Sequence, residues 1–153
     1  MITQTAEQAK TITVLLNGTN KSLKSVVPIE YTMSKPALIH DAIYANFGVL
    51  IGITGDLKGK LVLSGDINIF GAIGEAMFGT EISDDMLVSF SGELGNMIAG
   101  NLSTNIMSEG VSVDITSPSI IEGQAKISGF KLAINLKVSF SGVGEIDLYL
   151  MLD

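Results

Sequence analysis

The sequence predicts an α+β fold, with an antiparallel β-sheet and two long helices packed on one of its faces. Two C-terminal runs, "FKLAINLKVSF" and "EIDLYLML", alternate apolar and polar residues with period two, the mark of strands with one buried face. Two long segments, around residues 12–27 and 83–110, carry apolar residues at helical spacing instead. Along the chain the segments run α, ββ, α, α, β, ββ, an order that places helices over one side of a sheet. With 153 residues, three prolines and no low-complexity tract, the chain is expected to form one domain over 1–153.

In the first helix Ile12, Leu15, Leu16, Leu23, Val26 and Val27 share a face, and Pro28 ends the segment. Two β-rich runs, Phe47–Thr54 and Gly59–Leu63, flank the tight turn "GDLK". "GDINIFGAIGEAMFG" reads as a short helix, started by Asp66 and terminated by Gly79. The longest helix begins near Ser83 or Asp84, has acidic residues in its first turn and closes at Gly110. After a strand-like "VDIT" the two alternating runs follow. Phe130, Leu132, Ile134, Leu136, Val138 and Phe140 are expected on one face of the first, and Ile146, Leu148, Leu150 and Leu152 on one face of the second.

Composition excludes several functions. The net charge is −7, and all nine basic residues are lysine, which suits neither a nucleic-acid face nor an arginine fork for phosphate. Cysteine is absent, so disulfides and thiolate metal sites are ruled out. The single histidine, His40, reads as a loop or surface residue and leaves nothing for histidine-based metal or nucleophilic chemistry. Asp84 and Asp85 are read as dipole-complementing residues rather than a metal pair. "GITGDLKGKL" has a phosphate loop's closing Gly-Lys, but Thr54 stands at the required glycine and Leu61 at the metal-binding hydroxyl. No run reaches the roughly 18 apolar residues of a membrane span, and "MITQTAEQAK" shows no secretory leader, so a cytoplasmic location is expected. The chain is nevertheless apolar, with 46% hydrophobic residues and a mean hydropathy of +0.45. That implies a large core or apolar surface covered by a partner.

The chemistry-bearing stretch is "SFSGELGNMIAGNLSTNI", residues 89–106. On a helical wheel Leu87, Phe90, Leu94, Met97 and Ile98 fall in one arc, the expected core stripe. Ser89, Glu93, Asn96 and Gly100 fall opposite, which leaves Glu93 and Asn96 side by side and outward, about one turn apart. Gly92 and Gly100 flank this polar pair, and Gly95 lies to one side. Each helical glycine costs on the order of 1 kcal/mol relative to alanine, so their presence points to close approach by another backbone. Residue pattern alone ends there.

Ser89-x-x-x-Glu93-x-x-Asn96, followed after 21 residues by Pro118, resembles the signature of the CheC/CheX/FliY family of chemotaxis phosphatases. "VLIGITGDLKGKLVLS", "GELGNMIAGNLS" and "VDITSPSIIEG" resemble the CheX branch in particular, over about residues 47–125. The resemblance implies hydrolysis of the aspartyl phosphate of a CheY-like response regulator. It implies that Asn96 orients the attacking water, that Glu93 pairs with the regulator's lysine, and that Ser89, Gly92 and Gly100 shape the partner-binding surface. Pro118 would stiffen the loop at the edge of the site. Mg²⁺ would be carried by the regulator, with no cofactor held by this chain; nucleic acid and membrane are not expected as partners. CheC proteins resemble a duplicated unit with two such motifs. Here the first helix reads Thr13-x-x-x-Asn17-x-x-Asn20, without the glutamate, so one site per chain is expected. A homodimer is also implied, for which the alternating C-terminal strands offer apolar surface. The competing function is a non-catalytic binding or scaffolding protein of the flagellar switch, against which the retained Glu93 and Asn96 argue.

Overall fold

The structure is a computed structural model that describes residues 6–153. The expectation of no secretory leader rests partly on residues 1–5, which lie outside the described residues, as does the start of the expected domain. Helix α1 spans Ala6–Val26, followed by strands β1 (Tyr31–Met33), β2 (Ala37–Ile39), β3 (Ala42–Gly55) and β4 (Gly59–Ser64). Helices α2 (Ile67–Phe78) and α3 (Asp84–Met107) come next, then β5 (Val113–Ile115), β6 (Ser119–Ser128), β7 (Leu132–Phe140) and β8 (Gly144–Leu152).

Local chemistry sets most of these limits. An Asp66 carboxylate oxygen accepts from the Asn68 N–H at 2.8 Å, and Gly79 closes α2 in the left-handed region at φ +73. Ser83 precedes α3 in extended backbone, but its hydroxyl makes no cap bond; Asp84 and Asp85 occupy the first turn. Helix α1 is already helical at Ala6, ahead of its apolar stripe; residues 6–10 are exposed and leave no hydrophobic signal in the sequence.

All strand pairs are antiparallel, in the order β1-β7-β8-β4-β3-β5, with β2 also on β7 and β6 also on β3. Helices α1 and α3 pack together over one face. The Ser22 hydroxyl donates to the Ile98 carbonyl at 2.6 Å, and the Asn105 amide donates to the Gly18 carbonyl at 3.1 Å. Between helices and sheet lies the main core, in which Leu15, Leu23, Leu94, Ile98 and Leu102 meet inward residues such as Val49, Ile51, Leu63, Leu136 and Leu148.

The structure corrects the reading of the sheet in four respects. Strands β1, β2 and the ten-residue β6 were not anticipated: two are only three residues long, and β6 shows no clean alternation. Phe130 does not share a face with Ile134 and Leu136; it packs with Ile43, Val62, Ala133, Tyr149 and Met151 in a second cluster on the opposite side. The sheet is therefore buried in part on both faces. The covering ribbon is the start of β3 and the end of β6, whose ladder shifts register between Ala45 and Phe47, near Gly123 at φ +86. Finally, the C-terminal strands offer little apolar surface for a subunit contact: their large apolar residues are buried within this chain apart from the half-buried Leu132 and Leu152, and both strands are paired along their edges.

Candidate functional site

Helix α3 buries Leu87, Phe90, Ser91, Gly92, Leu94, Gly95, Ile98, Ala99, Leu102 and Ile106. On the opposite side Ser89 and Glu93 are exposed, and Asn96 and Gly100 are half-buried. The structure thus brings the polar residues of the motif onto one outward arc, about one helical turn apart along the axis. Met97, expected in the core stripe, is exposed instead (37%). The buried arc is rotated away from it, toward Gly92, Gly95 and Ala99.

The glycines explain that rotation. A Cβ built on Gly95 would lie 2.7 Å from Val49 Cγ1 of β3, so this residue lets α3 sit directly on the sheet. Gly92 is buried as well, and a Cβ there would meet Ile120 Cδ1 at 3.4 Å and Pro118 Cγ at 3.7 Å. The close approach inferred for these two is to the chain's own sheet and β5–β6 loop. Of the three glycines in the stretch, Gly100 alone lies in the outward arc, where the nearest atom to a built Cβ is Ile115 Cδ1 at 4.0 Å. Pro118 is half-buried against the Gly92 side of the helix and so borders the motif, although it lies 22 residues beyond Asn96 in the chain.

Elsewhere on α3 the polar side chains are spent on the fold. Ser91 donates to the Leu87 carbonyl at 2.7 Å, Ser103 to the Val113 carbonyl at 3.2 Å and Thr104 to the Gly100 carbonyl at 3.2 Å. Asn105 holds the Gly18 carbonyl. The side chains of Ser89, Glu93 and Asn96, by contrast, make no hydrogen bond or ion pair among the described residues. A half-buried carboxamide with its donor and acceptor both unspent is suited to hold a small polar guest such as water.

The surrounding field is negative. Between Lys60 and Lys126 the chain carries nine carboxylates and no basic residue; the remainder holds seven carboxylates and all nine lysines. No grouping of three or more acidic, histidine or cysteine side chains able to hold a metal occurs among the described residues. The site can thus offer a neutral hydrogen-bonding amide, one carboxylate, and an approach favouring a cationic partner surface.

Comparison with known proteins gives a consistent result. The family described as chemotaxis phosphatase CheX matches residues 47–132, close to the 47–125 span of the sequence resemblance. A Thermotoga maritima protein, CheY-P phosphatase CheX, is 31% identical over 147 residues, which cover 93% of this chain and 95% of that protein. The crystal structure of the chemotaxis protein CheX from Desulfovibrio desulfuricans shares the fold with a TM-score of 0.76 at 22% identity, covering 92% of this chain and 97% of that one. A CheX–CheY–BeF3–Mg²⁺ complex from Borrelia burgdorferi gives a TM-score of 0.76 at 24% identity, with coverage of 92% and 96%.

Proposed function

The chain belongs to the chemotaxis phosphatase CheX family, and we propose that it hydrolyses the aspartyl phosphate of a CheY-like response regulator through Asn96 and Glu93 of α3. Membership is supported along nearly the whole length of the Thermotoga maritima relative, which is named for acting on phosphorylated CheY. The observation that carries the residue assignment is the pair of unspent side chains on the outward arc of α3, one neutral and one anionic.

The division of labour follows from charge. Water must attack phosphorus in line with the aspartyl oxygen; the P–O bond to that oxygen breaks, leaving a free aspartate carboxylate and inorganic phosphate. A carboxylate placed beside the phosphoryl oxygens would be repelled. The Asn96 amide accepts from and donates to the water without adding charge, and its contribution is positioning. Glu93 pairs instead with the lysine of the regulator's pocket, registering the helix against its substrate. The Mg²⁺ that neutralises phosphoryl charge is supplied by the regulator; the CheX–CheY complex from Borrelia burgdorferi, which includes Mg²⁺, supports this reading. Ser89 and Gly100 shape the contact directly. Gly92, being buried, acts on it through the seating of α3 against Pro118.

One site serves one domain over residues 1–153, and the protein works in the cytoplasm; no helix among the described residues is long and apolar enough to cross a membrane. A homodimer remains part of this reading, through a surface other than β7 and β8. Leu38 (44%) and Tyr44 (66%) are large apolar side chains exposed on β2 and the start of β3.

The test is the decay of phosphorylated receiver domains from the source organism at substoichiometric protein. Wild-type protein should accelerate one of them, and Asn96→Ala should lose on the order of 10²-fold or more in kcat, the usual loss of a positioned polar group. Asn96→Asp should be similarly impaired, because the volume is kept while charge is added. An Asn96→Ala protein with wild-type turnover would refute the assignment.

A further inference from the structure

Beside the motif the surface is apolar. Between the end of α2 and the first half of α3 lies a depression of about 470 Å³, walled by Phe78, Ile82, Met86 and Phe90, with Ser89 and Glu93 at its rim. Phe78 is 62% exposed and Met86 55%, an unusual expenditure of large apolar side chains on solvent. The walls are built. The Phe78 ring stands edge-on to Phe90 at 5.7 Å between centroids and 77° between planes. Ile82 lies over Gly74 so closely that any Cβ there would collide with it. Met86, Phe90, Glu93 and Met97 follow one another along α3 at spacings of four, three and four, so the apolar row runs past Glu93. Acidic residues border it: Glu81 and Glu93 line the depression, and Asp84 and Asp85 follow its Ser83 wall.

The geometry points to this depression as the docking groove for the substrate regulator itself, holding an apolar side chain from the receiver surface beside the acyl-phosphate pocket while basic residues around it face Glu81, Asp84 and Asp85. The inference rests on the phosphatase reading above, and deepens it by saying what selects the substrate. Two arguments name the occupant. Glu93 and Ser89 belong both to the groove's rim and to the catalytic arc, so a partner placed over Asn96 covers the groove. The segment from 61 to 125 is wholly acidic in its charged residues, yet the substrate carries a phosphoryl dianion. Such a face attracts only a receiver whose surroundings outside the phosphoryl pocket are basic, which makes charge a selector.

Three proteins test this with one phosphorylated receiver: Asn96→Ala, the double variant Phe78→Ser/Met86→Ser, and Asp84→Asn/Asp85→Asn. Binding is measured to the Mg²⁺–BeF3-activated receiver, turnover with the phosphorylated one, and assembly state by sedimentation. The groove variant, altered only at exposed positions, should raise KM and Kd about tenfold or more, with kcat at saturation within about twofold. Asn96→Ala should do the reverse, losing kcat while keeping Kd. The charge variant should weaken binding several-fold at low salt and less at high salt. Unchanged KM and Kd in the groove variant overturn the proposal, as does a groove variant that changes assembly state instead, since the occupant is then a second copy. A charge variant with no salt-dependent loss overturns the electrostatic selection. If wild-type protein accelerates no receiver's decay, the phosphatase reading falls and takes this with it; an active enzyme indifferent to the groove variant removes the docking proposal alone.

Discussion

Helices α1 and α3 lie against each other over the same sheet face and carry the same polar spacing, Thr13-x-x-x-Asn17-x-x-Asn20 and Ser89-x-x-x-Glu93-x-x-Asn96. Two of the three motif side chains on α1 are engaged within the fold, whereas among the described residues none of those on α3 is. The Asn20 side-chain oxygen accepts the Tyr31 hydroxyl at 2.6 Å, and Thr13 donates to the Ala9 carbonyl at 3.0 Å. Burial pushes the Tyr31 hydroxyl above its ordinary pKa. The α1 motif is also flanked by Lys10, Lys21 and Lys24 in a groove whose one carboxylate is Glu109, whereas α3 stands in the acidic segment. On the proposed reading, a carboxamide at the right helical position does not by itself make a site. That reading asks for an unspent amide, a carboxylate three residues before it, and a local charge that suits the partner.

The sharpest way to break this comparison is to delete the same carboxamide from both helices. Asn96→Ala should cost on the order of 10²-fold in kcat with an unchanged melting temperature. Asn20→Ala should do the opposite, losing about 0.5–1.5 kcal/mol of stability with turnover intact, because Tyr31 keeps the Asn20 backbone carbonyl as a second acceptor at 2.9 Å. Comparable rate losses in both variants would mean that α1 holds a working site. Next in size is Glu93→Gln, which keeps volume and removes the charge. A charge-assisted hydrogen bond contributes about 1.5–3 kcal/mol, so kcat/KM should fall roughly ten- to a hundredfold. A matching charge loss at the regulator's lysine should leave the double variant no worse than either single one.

Much of this was legible before the fold was known. The limits of α2 follow from Asp66 and Gly79, and the outward arc of Ser89, Glu93 and Asn96 follows from helical spacing alone. The errors have a common physical origin in small residues. Buried glycine leaves no mark on a hydrophobic pattern, so the apolar stripe on α3 was drawn through Met97 instead of through Gly92, Gly95 and Ala99. For the same reason the pattern does not reveal that Gly92 faces Ile120 and Pro118. Strand β6 shows no clean period because Gly123 and the register shift beside it interrupt the alternation. The roles proposed for Asn96 and Glu93 are not in the pattern at all; they rest on family resemblance, and the structure adds that their side chains make no hydrogen bond or ion pair among the described residues.

The glycines of α3 supply a smaller test of the same contrast between inward and outward faces. Gly95→Ala places a methyl 2.7 Å from Val49 Cγ1, and overpacking of this kind costs about 1–3 kcal/mol. Gly100→Ala meets nothing closer than 4.0 Å and should stabilise the helix by about 0.5–1 kcal/mol. If Gly100 also leaves room for the regulator, the stabilised protein will show a raised KM. A lower melting temperature for Gly100→Ala would place that residue on the packed side and shrink the outward arc to Ser89, Glu93 and Asn96.

The smallest expected effect comes from trying to convert α1 into α3. In an Asn96→Ala background, Asn17→Glu restores the missing carboxylate, and Tyr31→Phe releases the Asn20 side chain. Both parts of the motif are then present on α1. The new glutamate, however, stands four residues before Lys21, the favourable direction for a helical ion pair. It should be captured there, with a stabilisation of about 0.2–0.5 kcal/mol that the loss of the Tyr31 bond offsets. Lys10 and Lys24 remain in the same groove, so a receiver with a basic face is repelled where α3 would attract it. Dephosphorylation should stay at the Asn96→Ala level. Recovery of even a tenth of wild-type turnover would show that spacing and unspent side chains suffice, and that the acidic field around α3 is dispensable.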